Sequence, residues 1–484
     1  MYLGIDLGTS ALKALLIDAD QRVVASATGA LAVDRPHPGW SEQDPARWIA
    51  AAEVALDHLK CGHGAALGAV RGIGLAGQMH GASLLDRADK VLRPAILWND
   101  TRAHEEAARL DAVPEFRAIT GNIVFPGFTA PKLVWVRRHE PELFARTAKV
   151  LLPKDYLRLW LTGEHVSDMS DAAGTGWLDT GARDWSARLL ELGGMDAGQM
   201  PRLVEGTGVS GTLRPDLAAR WGLGPGVAVA AGGGDNAASA VGIGAIGSGA
   251  AFVSLGTSGV LFAATEAYRP NPESAVHTFC HAVPGTWHQM GVILSAGDAL
   301  AWFSRLTGRT PEELTGELGE TLRPPGGTWF LPYLAGERTP HNDAGIRAAL
   351  AGLDHAAGRP ALTHAVLAGV AFALRDCLEA LAEAGTHLSS AIAVGGGSRS
   401  RYWLKLIATV LGVRVEVPAD GDFGAAFGAA RLGLIAAEGA DPEAVCRPPL
   451  IAETIAPESA LVSAYRDAWH RYRALYPALK GALP

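Results

Sequence analysis

Apolar residues in this chain gather in short runs that break at glycine, alternating with longer stretches of helical period. Tyr2 to Ile17 reads as strand, Gly-Thr-Ser turn, strand, and Ala251 to Ala263 reads the same way. Further short apolar runs, Ile73 to Ala76, Val227 to Ala231 and Ala391 to Val394, each end in glycines. Helical stretches are predicted over Pro45 to Leu59, Pro360 to Ala384 and Gly424 to Ala437, the first introduced by Ser41-Glu42-Gln43-Asp44 as cap material. Strands alternating with helices form an α/β pattern, in which ligands collect at the carboxyl ends of strands.

Within that pattern lies a weak internal repeat. Leu7-Gly8-Thr9-Ser10 recurs as Leu255-Gly256-Thr257-Ser258, each time at the tip of a predicted hairpin. Two related domains, each opened by such a hairpin, would explain it, with residues 1–246 in the first and 247–484 in the second. Gly242, Gly244, Gly247 and Gly249 lie at the boundary and suit either a hinge or a tight connection. The repeat differs at one position of chemical interest: Asp6 in the first copy is Ser254 in the second.

Composition narrows the function. The chain has 484 residues, enough for two substantial cores. Its 42 basic and 50 acidic residues give a net charge of -8 without blocks of like charge, so no nucleic-acid track is expected and small molecules are the expected partners. Residues 236–265 carry no charge, but glycines and Asn, Ser and Thr interrupt them, so no membrane span is expected. Four scattered cysteines without a CxxC pair, and Asp6 where a signal peptide would be apolar, fit a reducing, cytoplasmic setting.

The candidate chemistry is that of phosphate and an acceptor hydroxyl. A Gly-Thr-Ser turn brings hydroxyls and free amides to an anion, although a single copy is also an ordinary hairpin turn. No Gly-Lys pair occurs, so there is no Walker loop, and Asp422-Phe423-Gly424 lacks the companions of a protein-kinase metal motif and reads as a helix start. The small residues after it, Gly424, Ala425, Ala426, Gly428, Ala429 and Ala430, suit a helix packed closely on a neighbour or under a ligand. Asp235 follows three glycines at a strand end, where a carboxylate can project into a cleft or cap the next helix. Lys13 is a candidate phosphate contact, or by period 2 the solvated face of a strand.

The chain resembles the FGGY family of carbohydrate kinases over essentially its whole length. The motifs that carry the resemblance are Gly4-Ile5-Asp6-Leu7-Gly8-Thr9-Ser10, Gly77-Gln78-Met79-His80-Gly81, Ile96-Leu97-Trp98-Asn99-Asp100, Thr129-Ala130-Pro131-Lys132, Leu152-Pro153-Lys154-Asp155-Tyr156, Asp168-Met169-Ser170-Asp171, Gly232-Gly233-Gly234-Asp235-Asn236, Gly336-Glu337-Arg338-Thr339-Pro340-His341 and Gly395-Gly396-Gly397-Ser398. The resemblance implies a two-domain actin-like, ribonuclease-H-like ATPase fold with an interdomain cleft. It implies transfer of a phosphoryl group from ATP to a ketose, with D-xylulose the expected acceptor. Ribulose, gluconate or glycerol are alternatives, and an actin-like ATPase switch is the alternative from another class.

The resemblance places the catalytic base on Asp235 and the sugar on Met79, His80 and Asn236, with Trp98 and Asp100 candidate pocket residues. Asp6 would organise Mg²⁺, directly or through water. Thr9, Ser10, Gly256 and Thr257 would hold phosphates, and Gly396 and Gly397 the nucleotide. Homodimers are common in the family. Ala368 departs from the family pattern, standing where many relatives carry an acidic residue.

Overall fold

The computed structural model describes residues 1–419 and 424–481. Asp422 and Phe423, read above as part of a helix start, lie outside the described residues. The first half builds strands β1 (Tyr2–Leu7), β2 (Ala11–Ile17) and β3 (Val23–Ala30), helix α1 (Pro45–Gly68), β4 (Gly72–Gly77), α2 (Pro153–Thr162), β5 (Val209–Thr212), β6 (Ala228–Ala230), β7 (Gly233–Gly234) and α3 (Asp235–Ile243). The second half builds β8 (Ala251–Leu255), β9 (Gly259–Thr265), β10 (His277–Cys280), β11 (Trp287–Ile293), α4 (Gly297–Thr307), α5 (Arg359–Glu383), β12 (Ser390–Val394), α6 (Arg401–Leu411), β13 (Arg414–Pro418), α7 (Ala425–Glu438), β14 (Ile451–Ile455) and α8 (Ser459–Lys480). No helix among the described residues is long and apolar enough to cross a membrane.

The repeat seen in four residues extends to whole sheets. Strands of the first run in the order β5-β6-β4-β1-β2-β3, with β7 beside β4, and those of the second in the order β10-β11-β9-β8-β12-β13-β14. Each sheet has an antiparallel meander (β3-β2-β1 and β11-β9-β8), then two parallel additions (β4, β6 and β12, β13), then an antiparallel edge (β5 and β14). This is a two-domain mixed α/β fold with one seven-stranded sheet per domain.

Period-2 alternation assigns the faces of β1. Leu3, Ile5 and Leu7 are buried against Trp48, Ala52 and Leu56 of α1. On the other face comes α7, from the far end of the chain: a Cβ at Gly4 would lie 1.9 Å from the Ala426 carbonyl oxygen, and one at Gly74 1.7 Å from that of Ala429. The small residues of α7 therefore serve close packing on β1 and β4. In space, α7 crosses back to the first sheet, although it lies beyond the chain division at 246/247. It also crosses α3, where a Cβ at Gly428 would meet the Ala238 carbonyl oxygen at 1.7 Å.

Two local expectations are corrected. Helix α1 runs to Gly68 rather than ending near Leu59, bending at His63 (φ −139°) and burying Leu67 in the first core. Only Asp44 of the Ser41–Asp44 stretch caps it, accepting the Ala46 N–H at 3.0 Å, while Glu42–Gln43 form a short strand against Ala95–Ile96. Of the four boundary glycines, Gly242 lies inside α3 and Gly244 closes it in the left-handed conformation (φ 74°). Ala368 is buried in the second domain's core with Val366, Val370 and Leu374.

Candidate active site

Register brings the chemistry to one edge of the first sheet. Asp6 on β1 pairs with Ala76 on β4, which also pairs with Gly233 on β7. With strands about 4.8 Å apart, the Asp6 and Gly233 backbones lie roughly 10 Å apart across β4. Asp6, the Gln78-Met79-His80 loop and Asp235 thus emerge together at the carboxyl ends of parallel strands, where open α/β sheets bind ligands.

Asp235 is the first residue of α3, after Gly234. Its Oδ1 accepts the Asn236 N–H at 2.7 Å and the Asn236 Nδ2–H at 3.0 Å. Among the described residues, none donates a hydrogen bond to Oδ2. Burial raises the Asp235 pKa, partly opposed by the two Asn236 bonds. The pKa of Asp6 is pushed up to about 7, first by burial and then by the Asp235 charge, with Lys13 opposing. Two carboxylates that feel each other across a cleft form a site that favours an added cation.

The first hairpin tip is buttressed by residues whose role the sequence did not reveal. Gln43 donates through Nε2 to the Thr9 carbonyl at 2.7 Å, and its Oε1 accepts from Trp48 Nε1 at 2.9 Å and from Gln78 Nε2 at 3.0 Å. The Thr9 hydroxyl donates to Gln78 Oε1 at 3.1 Å and accepts from Trp98 Nε1 at 3.0 Å, so in this arrangement it bridges the hairpin to the Trp98 loop. Ser10 is exposed. Trp98 is 48% exposed, which is large for a tryptophan and places an open aromatic face beside Thr9.

Asp100 is not brought to the cleft surface. Its side chain is 1% exposed, Oδ2 accepts the Ser41 N–H at 2.6 Å and Arg102 Nη2 at 2.7 Å, and Oδ1 accepts the Arg102 N–H and Nε at 2.9 Å. It holds the loop behind Trp98. The signal lay two residues on, in an arginine able to form a fork with it.

His80 occupies the left-handed region at φ 67°. Its carbonyl is held by Thr129 Oγ1 at 3.2 Å and by the buried Lys132 Nζ at 2.7 Å. The ring stacks on Phe128 with centroids 4.8 Å apart, and Nδ1 lies 2.7 Å from the Gly174 carbonyl. A carbonyl can only accept, so Nδ1 carries the proton and Nε2 is an acceptor. Burial, with the Lys132 and Arg338 charges adding to it, lowers the pKa to about 3, so the ring is neutral at neutral pH. Gly174 is required here, since a Cβ would lie 2.4 Å from the ring. Met79 is buried beneath the same loop, its sulfur 2.9 Å from where a Gly234 Cβ would stand.

From the second domain, Arg338 reaches this region, with its guanidinium 4.4 Å from the Phe125 ring centroid and Nη1 3.1 Å from His277 Nε2. The second hairpin is fixed through its backbone: the Thr257 carbonyl accepts the N–H groups of Ala296 at 2.9 Å and Asp298 at 3.1 Å, while its side chain is exposed. The triple glycine lies against this hairpin, because a Cβ at Gly397 would stand 2.8 Å from Leu255 Cβ and 2.9 Å from the Trp403 ring. Gly396 faces open space. A cavity of about 770 Å³ opens there, lined also by Leu300, Arg399, Tyr402 and Trp403, and its size suits a nucleotide. A second cavity, of about 410 Å³, joins Asn236 and Ser239 of α3 to Ser254 and Ser398 of the second domain. Lys13 sits opposite Asp6 in register, and burial lowers its pKa.

Comparison with known proteins gives the family. Residues 1–242 match the N-terminal domain of the FGGY family of carbohydrate kinases and residues 251–437 its C-terminal domain. The chain is 48% identical to the xylulose kinase of Escherichia coli (strain K12), over 99% of both chains. It superposes on the crystal structure of a xyloylose kinase from Brucella ovis with a TM-score of 0.98 and 66% identity, covering 99% of each chain. Xylulose kinase from Rhodospirillum rubrum gives a TM-score of 0.92 at 31% identity, again over 99% of each chain.

Proposed function

The chain belongs to the FGGY family of carbohydrate kinases, enzymes that phosphorylate a sugar with ATP, and we propose that its acceptor is D-xylulose, converted to D-xylulose 5-phosphate. The observation that carries the mechanism is the asymmetry of Asp235. One oxygen is fixed by Asn236, which leaves the other to take the proton of the acceptor hydroxyl. A carboxylate whose pKa is raised by burial accepts that proton better than one in water. The hydroxyl oxygen then bonds to the γ-phosphorus as the bond to the ADP oxygen breaks, and the proton leaves from Asp235 after release. His80 Nε2 accepts a sugar hydroxyl, Asn236 fixes the base and meets a second hydroxyl, and Met79 and Trp98 shape the pocket. Asp100 acts through the Trp98 loop.

Phosphates lie between the two hairpins, on Ser10 and the exposed Thr257, with Thr9, Lys13 and Gly256 adjoining. The base and ribose lie along Gly396 and Gly397 in the larger cavity. Asp6 fits a Mg²⁺ ion, since burial and then the Asp235 charge raise its pKa to about 7 against Lys13, and an added cation would favour its ionised form. When bound, the ion neutralises phosphate charge and keeps several waters.

A coupled ADP-release screen across pentuloses, hexuloses, polyols and aldonates tests the reading. D-Xylulose is expected to give the highest kcat/KM. A higher value for another sugar would reassign the acceptor, and ADP release indifferent to every sugar would point to a nucleotide switch instead.

A further inference from the structure

Three glycines precede Asp235 in a closely packed turn, and the first is held tightest, against backbone. A Cβ at Gly232 would lie 2.0 Å from the Leu75 carbonyl oxygen, at Gly233 3.0 Å from Ala282 Cβ, and at Gly234 2.9 Å from the Met79 sulfur. Beyond the short pairing of β7 with β4, the turn has no side chain of its own to anchor it, and glycine backbone is the freest to move. A base that must sit within hydrogen-bond reach of one hydroxyl needs that freedom removed from outside.

Directly behind the turn lies a fully buried ionic cluster that the proposed chemistry does not use. Lys154 Nζ contacts Asp155 Oδ1 at 2.7 Å, Asp168 Oδ2 at 2.6 Å and Asp171 Oδ2 at 3.1 Å, and Arg158 Nη1 meets Asp155 Oδ1 at 2.6 Å, with all five side chains at 0% exposure. Three carboxylates this close resemble a metal site, but the Lys154 ammonium already stands among them. Two cations face three carboxylates, leaving one negative charge in excess in a dry interior. Burial, with the Asp155 and Asp168 charges, pushes the Asp171 pKa far up against the Lys154 ammonium, and a proton kept on one carboxyl would balance the charge.

The cluster touches the glycine turn at both ends. Arg158 Nη2 donates to the Ala231 carbonyl. The Ser170 hydroxyl, which donates to Asp168 Oδ1, accepts the Gly234 N–H at 3.1 Å. Asp168 Oδ1 also accepts the N–H groups of Ser170 at 2.8 Å and Asp171 at 3.1 Å, so Ser170 is itself locked.

We propose that this cluster is a positioning device for Asp235, in which Arg158 and Ser170 clamp the two ends of the Ala231–Gly234 turn and Lys154 with its aspartates holds the clamp. The inference rests on Asp235 being the base. Ser170 and Arg158 touch no substrate, and they act through the turn.

Ser170→Ala removes the acceptor for Gly234 while changing little volume. Its kcat per folded molecule is expected to fall about tenfold, with KM for ATP and D-xylulose within about twofold of wild type, because misplacing a base costs the reaction more than binding. Ser170→Thr restores the hydroxyl and is expected to recover most of kcat. A merely structural Ser170 would instead lower the melting temperature and leave kcat per folded molecule unchanged, and that result would overturn the proposal. Asp171→Asn, which imitates a protonated carboxyl, is expected to keep a cooperative melt within a few degrees of wild type, and failure to fold would refute the charge count. Asp235→Asn run in parallel separates the two readings. Normal turnover in that variant removes the base itself, whereas its inactivity beside a fully active Ser170→Ala removes only the clamp.

Discussion

At the level of single residues, the site is a set of side chains with one polar atom committed to the protein and another left for a ligand. Asp235 and His80 both have this form, and it decides what substitution does. Asp235→Asn keeps size and can still meet a hydroxyl, but cannot take its proton, so kcat is expected to fall by roughly 10² to 10⁴ while the D-xylulose Kd changes little. The sign of the pH dependence follows from the raised pKa. The base works only when ionised, so wild-type kcat falls as pH drops through a value above the ordinary aspartate range, and the residual rate of Asp235→Asn lacks that limb. A wild-type kcat profile with no acid limb above the ordinary aspartate range would contradict the assignment. Asp235 stands out in the chain at a glycine-rich strand end, whereas His80 is singled out only by the family resemblance. Asp100 could not be placed correctly, because its orientation depends on Arg102 and on Ser41, which is brought beside it only by the fold. Gln43 was hidden for the same reason: its partners Thr9, Trp48 and Gln78 converge on it only in three dimensions.

Among elements, hairpins and helices with clear period were legible and their ends were not. Helix α1 is expected from the sequence over Pro45 to Leu59, yet it runs on to Gly68, with Leu67 buried in the first core. The alanine and glycine stripe of α7 announced close packing without naming the partner, since β1, β4 and α3 are all distant in sequence. That packing can be tested at Gly428. Gly428→Ala would place a methyl 1.7 Å from the Ala238 carbonyl oxygen, where only backbone could move. Overpacking of this kind costs about 1–3 kcal/mol, and because α3 begins at Asp235, separation of the two helices is expected to lower kcat as well as the melting temperature. A stable and fully active Gly428→Ala would show that α3 and α7 do not depend on this contact.

For the whole molecule, the proposed halves of the site lie on different sheets, so the proposed transfer needs the two domains to meet around both substrates. One side of their junction is already closed: Met79, Phe125 and Phe128 of the first domain share an apolar cluster with Phe252, Phe262 and Phe279 of the second. At the back, Arg431 of α7 donates to the carbonyls of Val241 and Gly242 at 2.9 and 3.1 Å, which fixes the end of α3. The following segment is held more lightly: Gly247 and Gly249 face open space, Gly249 has φ 79°, and its N–H donates to the Ala264 carbonyl at 3.0 Å. The domains are therefore expected to rotate about the apolar cluster, bringing the second hairpin toward the first, as lids do when they exclude water from a reaction. Small-angle scattering with saturating D-xylulose and a non-hydrolysable ATP analogue should then show a smaller radius of gyration than the free protein, and amide exchange should slow over residues 244–249. Either ligand alone should give a lesser change, because each binds mainly to one domain. An unchanged radius of gyration with both ligands bound would mean that the cleft is already in its working form and that the glycines serve only as a tight connection.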